Sequence, residues 1–432
     1  MNESGKSFKK FLLLWSGQLI STIGNGLTSF GLGIYVFQQT GKASAMALVT
    51  LLAFMPSLLL SAFAGVLADR YDRRLLMVLG DSLSAIGLVF ILICMLRGEA
   101  QLWQICVGVT ISSMFSSLLD PAYKATVTDL LTEEQYTRAS GLVQVAGSAK
   151  FLISPILAGF LLTVTDIKLL LVIDICTFFV TVATTLAVRS GLASKTYEST
   201  QSFIHEIKVG WKAVSANRGV LVLVIMTSVL TFYLGVIETL TIPMLLTFTN
   251  SSVVGMIETI VGSGMLVSSV IIGFLPIQKG YVKILSISLF GVGVFMAAFG
   301  FREHIALICV SGFLFFAMLP FANTSLDFLV RTNMDNAVQG RAWALIGILS
   351  QLGFVAAYAL SGVLADFVFT PLLVEGGGLA DSVGKIIGTG LGRGMGFLII
   401  IAGLLLCVTS VILYKLKSVK MLENRGVLCT PE

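Results

Sequence analysis

Long apolar runs separated by short polar stretches dominate this chain. Runs near residues 11–37, 45–68, 75–96, 102–123, 139–163 and 168–189 are followed, after a polar interval, by runs near 219–247, 252–275, 282–300, 304–328, 341–365 and 393–414. One helical crossing of a bilayer needs about 20 predominantly apolar residues. The pattern therefore predicts an all-α membrane protein with twelve transmembrane helices. The first run is too long for a signal-peptide core and no small-residue cleavage site closes it, so it reads as the first span. The interval 190–218 divides the chain into an N-terminal six-helix half (1–189), a linker (190–218), a C-terminal six-helix half (219–414) and a tail (415–432). In the linker, Phe203, Ile204, Ile207, Trp211 and Val214 fall on one helical face beside Lys208 and Lys212. That predicts an amphipathic helix lying on the membrane surface, in contact with lipid.

Composition agrees: 56% of the 432 residues are hydrophobic and 12% charged, with a mean hydropathy of +0.95, which excludes a soluble globule. Basic residues cluster on one side: Lys6, Lys9 and Lys10, then Arg70, Arg73 and Arg74, Lys124, Arg138, Arg331 and Arg341, and finally Lys415, Lys417 and Lys420. The other side has Lys42, Arg97, Lys168, Arg302, Lys385 and Arg393. The bias predicts both termini in the cytoplasm. The net charge of +5 then reflects topology, not nucleic-acid binding. Cys94, Cys106, Cys176, Cys309 and Cys407 lie in apolar runs, and no disulfide or metal spacing is present. No cofactor and no metal are expected, and the chain is expected to act as a monomer.

Three local patterns stand out. Residues 65–74, Gly-Val-Leu-Ala-Asp-Arg-Tyr-Asp-Arg-Arg, are expected to form a short loop between the second and third spans. There Gly65 would let two helices approach closely, Asp69 would accept hydrogen bonds from a helix start, and Arg70, Arg73 and Arg74 would hold the cytoplasmic side. In the fifth span, Ser154-Pro155 precedes Ala158-Gly159 by a spacing that places small residues and a bend together. An internal repeat links Arg138-Ala139 and Gly159 to Arg341-Ala342 and Gly362, both with a gap of 21 residues and offset by 203. Gly65 is echoed more weakly by Gly273. Parallel repeats of this kind imply two related halves around a central cavity.

Charges inside spans cost about 2.5–3.5 kcal/mol at a helix centre on insertion scales, so they mark function. Lys150 lies twelve residues past Arg138, roughly 18 Å along a helix, near mid-membrane. Glu238 and Glu258 are the carboxylates of the seventh and eighth spans. These three are expected at the cavity, with Lys150 facing one of the glutamates. Asp81, Asp174 and Asp327 lie closer to span ends and are expected to make helix-terminal or interhelical bonds. Asn25, among the glycines of the first span, either bonds between helices or lines the cavity. The segment 366–392, with Gly376-Gly-Gly378, lacks the ending of a phosphate-binding loop and reads as a lid over the outer vestibule.

The 65–74 block resembles the Gly-x-Leu-x-Asp-Arg-x-x-Arg-Arg/Lys signature of major facilitator superfamily transporters. Ser154-Pro155-x-x-Ala158-Gly159 resembles a softened form of that superfamily's antiporter motif. The stretch Asp129-Leu-Leu-Thr-Glu-Glu-Gln135, the linker from Ser202, and Ile257-Glu258-Thr through Gly264-Met265-Leu266 look like the macrolide-efflux group of bacterial facilitator transporters. The resemblance covers nearly the whole chain. It implies the twelve-helix fold in two pseudo-symmetric halves, the bacterial cell membrane, and export of amphiphilic small molecules in exchange for protons. It also places the contact of Asp69 at the start of the eleventh helix. Related drug–proton antiporters carry an arginine in the fourth helix where Ser112 stands here, so Lys150 is expected to supply the missing charge.

Two other readings are weighed beside export. A transporter of a lipid or nutrient, uncoupled or differently coupled, fits the same architecture. A membrane-embedded enzyme does not, because no span carries a His, Ser or Cys constellation with an activating base. If the signature segment gates transport, Asp69→Asn inserts and expresses normally yet transports slowly. Normal transport by a well-expressed variant would leave the segment a purely topogenic one.

Overall fold

The computed structural model describes residues 7–189, 203–275, 277–334 and 336–426. Among these residues there is no strand, and twelve helical segments are long and apolar enough to cross a membrane. The first helices are α1 (Phe8–Thr40), α2 (Ala43–Arg70), α3 (Arg73–Leu96), α4 (Leu102–Ser116), α5 (Leu119–Leu130), α6 (Glu133–Leu152), α7 (Ser154–Val164) and α8 (Ile167–Arg189). They are followed by α9 (Phe203–Ala216), α10 (Arg218–Leu246), α11 (Ser251–Phe274), α12 (Tyr281–Phe301), α13 (Ile305–Thr332) and α14 (Asn336–Leu364). A π-helical turn, Ala365–Phe369, leads into α15 (Thr370–Leu373), α16 (Val383–Ile387), α17 (Leu391–Lys415) and α18 (Lys417–Gly426). Three spans are composite: Leu102–Leu130 joins α4 and α5, Glu134–Val164 joins α6 and α7, and Leu345–Leu373 runs from α14 through the π turn.

The chain forms two compact units, one of Met1–Gly41, Leu48–Thr200 and Asn250–Thr259, the other of Lys42–Ala47, Gln201–Thr249 and Ile260–Glu432. In the first unit α1 packs along α8 and against α6 and α7, while α3 packs on α4 and α8. A core of Phe11, Leu14, Leu76, Met77, Tyr123, Leu130 and Leu131 closes the end that carries the basic residues. In the second unit α12 packs between α13 and α17, and α10 against α14 and α17. The linker helix α9 lies against α14, with Val214 buried and Trp211 half exposed, as its one-sided pattern requires. Residues 190–202 and Cys429 fall outside the described residues.

Several boundaries move. The segment 65–74 is not a loop: α2 continues to Arg70, only Tyr71 and Asp72 interrupt it, and α3 opens at Arg73. Among the described residues a Cβ added at Gly65 would meet nothing within 4 Å, so none of them makes a close approach there. The fourth span runs past Asp120-Pro121 to Leu130, because Pro121 sits in the first turn of α5, where its missing N–H costs nothing. The helix that opens the fifth span begins at Glu133, before Arg138, and the helix that carries the eleventh begins at Asn336, before Arg341. Pro56 lies inside a continuous α2.

The repeat corresponds to a packing rule. A Cβ on Gly159 would stand 2.6 Å from the Ser251 carbonyl at the start of α11, and one on Gly255 would fall on the Pro155 carbonyl. Its counterpart Gly362 is pressed in the same way against Ala43, Ser44 and Ala47 at the start of α2. Helices in lipid gain no hydrophobic energy by associating, so such backbone contact is what holds them. Gly255→Ala is therefore expected to lower the thermal midpoint of detergent-solubilised protein, at a cost of about 1–3 kcal/mol from overpacking. Gly65→Ala is expected to hold it or raise it, by up to ~1 kcal/mol of helix propensity. Equal midpoints for the two variants would refute the packing argument.

Candidate functional site

The signature segment is built around Arg73. Its Nε donates to the Ala68 carbonyl at 3.2 Å, one of the acceptors left without a partner at the end of α2. Its Nη1 donates to Asp129 of α5 at 2.8 Å and to the Ala125 carbonyl at 3.4 Å. Asp72 caps α3 by accepting from the Arg74 N–H at 3.0 Å, and Arg74 is itself buried in the basic-end core. Arg70 is exposed. The side chain of Asp69 lies outside the described residues, as does that of Arg341.

Asp366 makes an interaction of the kind expected of Asp69, a carboxylate on a helix start. Asp366, in the π turn, accepts from the Ala43 N–H at 3.1 Å and the Ser44 N–H at 2.7 Å. Both are unpaired donors of the first turn of α2, where the helix dipole favours negative charge. Sequence reasoning placed Asp366 in a lid, since a cap more than 300 residues from its helix leaves no local signal. The segment 366–392 is tied by its own backbone bonds, from the Leu379 N–H to the Leu372 carbonyl and from the Gly390 N–H to the Leu373 carbonyl.

Inside the first unit the Ser154-to-Gly159 element acts as a junction. The Ser154 hydroxyl, fully buried, donates to the Ile23 carbonyl of α1 at 3.0 Å. Pro155 and Gly159 meet the start of α11, Ala158 is buried, and the Thr259 hydroxyl donates to the Leu152 carbonyl at 2.9 Å. α6 ends one residue before this element, so Lys150 stands in its last turn rather than in an unbroken mid-span helix. Its stem lies beside Gly26, where a Cβ would come within 3.2 Å of Lys150 Cγ. The residue is exposed, with its ammonium 5.9 Å from the Phe151 ring centre and within the electrostatic reach of Asp174 on α8.

The remaining candidates separate. Glu238 accepts a 2.7 Å hydrogen bond from Tyr358 of α14, and Glu258 is half-buried on α11. Asn25 bonds within its own helix, donating to Ser21 and accepting, through its carbonyl, from the Ser29 hydroxyl. Ser112 pairs with Ser84 of α3 at 2.8 Å, and Ser84 also meets Ser116. It therefore serves the α3–α4 contact. A cleft of about 290 Å³ in the first unit, lined by Tyr35, Gln38, Glu99, Asp166 and Lys168, contains none of the candidates. Among the described residues no group of His, Cys, Asp and Glu is arranged to hold a metal ion.

The Arg73–Asp129 pair is partly exposed, at 14% and 33% of the side chains, so solvent screening limits its worth. A double-mutant cycle of Arg73→Ala and Asp129→Ala, followed by thermal unfolding, is expected to give a coupling of about 0.5–1 kcal/mol. Strictly additive losses would detach Asp129 from the signature segment.

The folded chain is similar to known proteins in both sequence and shape. Macrolide efflux protein A of Streptococcus pyogenes is 25% identical over 363 residues, covering 82% of this chain and 88% of that protein. Macrolide efflux protein A of Enterococcus faecalis is 25% identical over 321 residues, covering 72% and 98%. The crystal structure of the nucleoside transporter NupG superposes with a TM-score of 0.73 at 14% identity, covering 94% of this chain and all of that one. Its relatives and its fold are those of membrane transporters, not enzymes. The family model of the Major Facilitator Superfamily matches residues 14–358, and with its twelve apolar helices this multi-pass membrane protein belongs to that superfamily.

Proposed function

We propose that this transporter exports amphiphilic small molecules, macrolide-like in character, by alternating access of its two halves and in exchange for protons. The halves are residues 1–189 and 219–414, joined by the linker 190–218 and followed by the tail 415–432, with both termini in the cytoplasm. The observation that carries the reading is Lys150. An ammonium in the last turn of a membrane helix, exposed and within the electrostatic reach of Asp174, is costly to retain unless it meets a charged or polar partner during the cycle. The likeness to macrolide efflux proteins supports the direction and the substrate class. The bonded pair Glu238–Tyr358 and the half-buried Glu258 supply further groups able to meet a substrate or a proton.

Everted vesicles loaded with a pH-sensitive dye test the coupling. Adding a macrolide is expected to dissipate an imposed acid-inside gradient in vesicles carrying the transporter. Lys150→Met is expected to reduce that response by about tenfold or more, corresponding to ~1.4 kcal/mol of lost stabilisation. Glu258→Gln and Glu238→Gln distinguish which of the two, if either, is also needed. Macrolide accumulation with an undisturbed gradient would make the export uncoupled or differently coupled, and neither accumulation nor dissipation would favour transport of a lipid or nutrient.

A further inference from the structure

The cleft of about 290 Å³ in the first unit is lined by the last turns of α1, the stretch after α3, the end of α7 and the starts of α8 and α11. On α1, Tyr35 stands 24 residues beyond Phe11, roughly 36 Å along the helix, so the cleft lies at the end opposite the basic core. Its floor is apolar: Ile34, Met95 and Ile167 are 2%, 2% and 5% exposed. Its rim carries half-buried Tyr35 with exposed Gln38 and Glu99. The Ala100 carbonyl accepts from Gln39 Nε2 at 3.0 Å and from the Tyr35 hydroxyl at 3.5 Å. Those bonds fasten the residue after Glu99 to the end of α1. A Cβ on Gly31 would stand 2.5 Å from Ile167 Cδ1, so α1 and the start of α8 meet closely at the floor.

Three charged side chains line this cleft, Glu99, Asp166 and Lys168. Asp166 accepts from the Lys168 N–H at 3.0 Å, and its other oxygen lies 3.2 Å from the Lys168 ammonium. These two neutralise each other, whereas Glu99 makes no ion pair among the described residues. Arg97 precedes Glu99 by two residues but does not line the cleft. One negative charge is left over. An anion would meet it unopposed, and a neutral apolar molecule would strip water from it without return. A cation with an apolar body satisfies both surfaces: its charge meets Glu99 and the Tyr35 ring, and its body covers the floor. Ligand pockets run from about 300 to 1,000 Å³, so this one admits a compact group. A substituted ammonium with one ring fits that description, and a whole macrolide does not.

We propose that this cleft binds a compact organic cation through Glu99 and Tyr35, at a site distinct from Lys150, Glu238 and Glu258. Glu99 supplies the counter-charge, Tyr35 the aromatic face, and Gln38 an amide able to accept from an N–H of the ligand. Asp166 holds the Lys168 ammonium and so limits its competition for Glu99. The choline head of a lipid and a free substituted ammonium ion present the same chemistry. With both termini in the cytoplasm, as proposed, the cleft faces outward, and only that sidedness rests on the export reading.

Equilibrium dialysis of the full chain in dodecyl maltoside micelles tests this with labelled benzyltrimethylammonium. Neutral N-benzylacetamide and anionic phenylmethanesulfonate serve as comparison ligands, and empty micelles give the background. The cation alone is expected to bind saturably, and Glu99→Gln to weaken it by about fivefold. Tyr35→Leu is expected to weaken it as well, and Glu99→Lys to turn the preference toward the sulfonate. Glu99 is exposed, so its variants are expected to fold. No saturable binding, equal binding of the neutral ligand, or unchanged affinity in Glu99→Gln would overturn the proposal. Loss of binding in Glu238→Gln or Glu258→Gln but not in Glu99→Gln would do the same. Displacement by short-chain phosphatidylcholine would uphold the site with a lipid head as its occupant; failure to displace would uphold it with a free cation. Binding at Glu99 in a protein that moves no macrolide would keep this site and remove the export reading.

Discussion

In hydrocarbon, no water is available to satisfy a backbone N–H or C=O, and every other feature of this protein follows from that constraint. It makes each crossing a helix and sends the leftover groups at helix ends in search of partners. Arg73 donates to the Ala68 carbonyl at the end of α2, and Asp366 takes the first N–H groups of the same helix at its other end. One helix is thus capped at both ends by charged side chains distant in the chain or across a break. Arg393 does similar work, donating from a buried site to the Gly300 and Phe301 carbonyls at the end of α12.

The same solvent removes the usual reason for helices to associate, so contact geometry takes over. The Ser154-to-Gly159 element shows how. A hydroxyl reaches the backbone of α1, a proline opens α7, and two small positions admit the start of α11. A bend and a close approach are created by the same few residues, which explains why they occur together. Breaking α6 from α7 at this point also leaves Lys150 at a helix end rather than in mid-helix, where its ammonium has more freedom to change partners.

Charge inside the first unit is arranged around α8. Asp174 approaches α1 at Gly24, and Lys150 of α6 lies within its electrostatic reach. The second unit has a simpler arrangement in which Tyr358 holds Glu238.

The chain's own order of residues determined the number of crossings, since span length is imposed by bilayer thickness and read directly from apolar runs. It also determined the superfamily, through the 65–74 signature, and the correspondence of Gly159 with Gly362, through the repeat. Only the tertiary structure decided what those residues touch. Gly65 has no close neighbour among the described residues, Ser112 spends its hydroxyl on Ser84, and Asp366 caps a helix that begins 323 residues earlier. Asp81 and Asp174 read locally as ordinary polar residues near span ends. Their burial arises from the packing of α3 and α8 with their neighbours, and the cost of a buried charge depends on neighbours that adjacency in the chain does not specify.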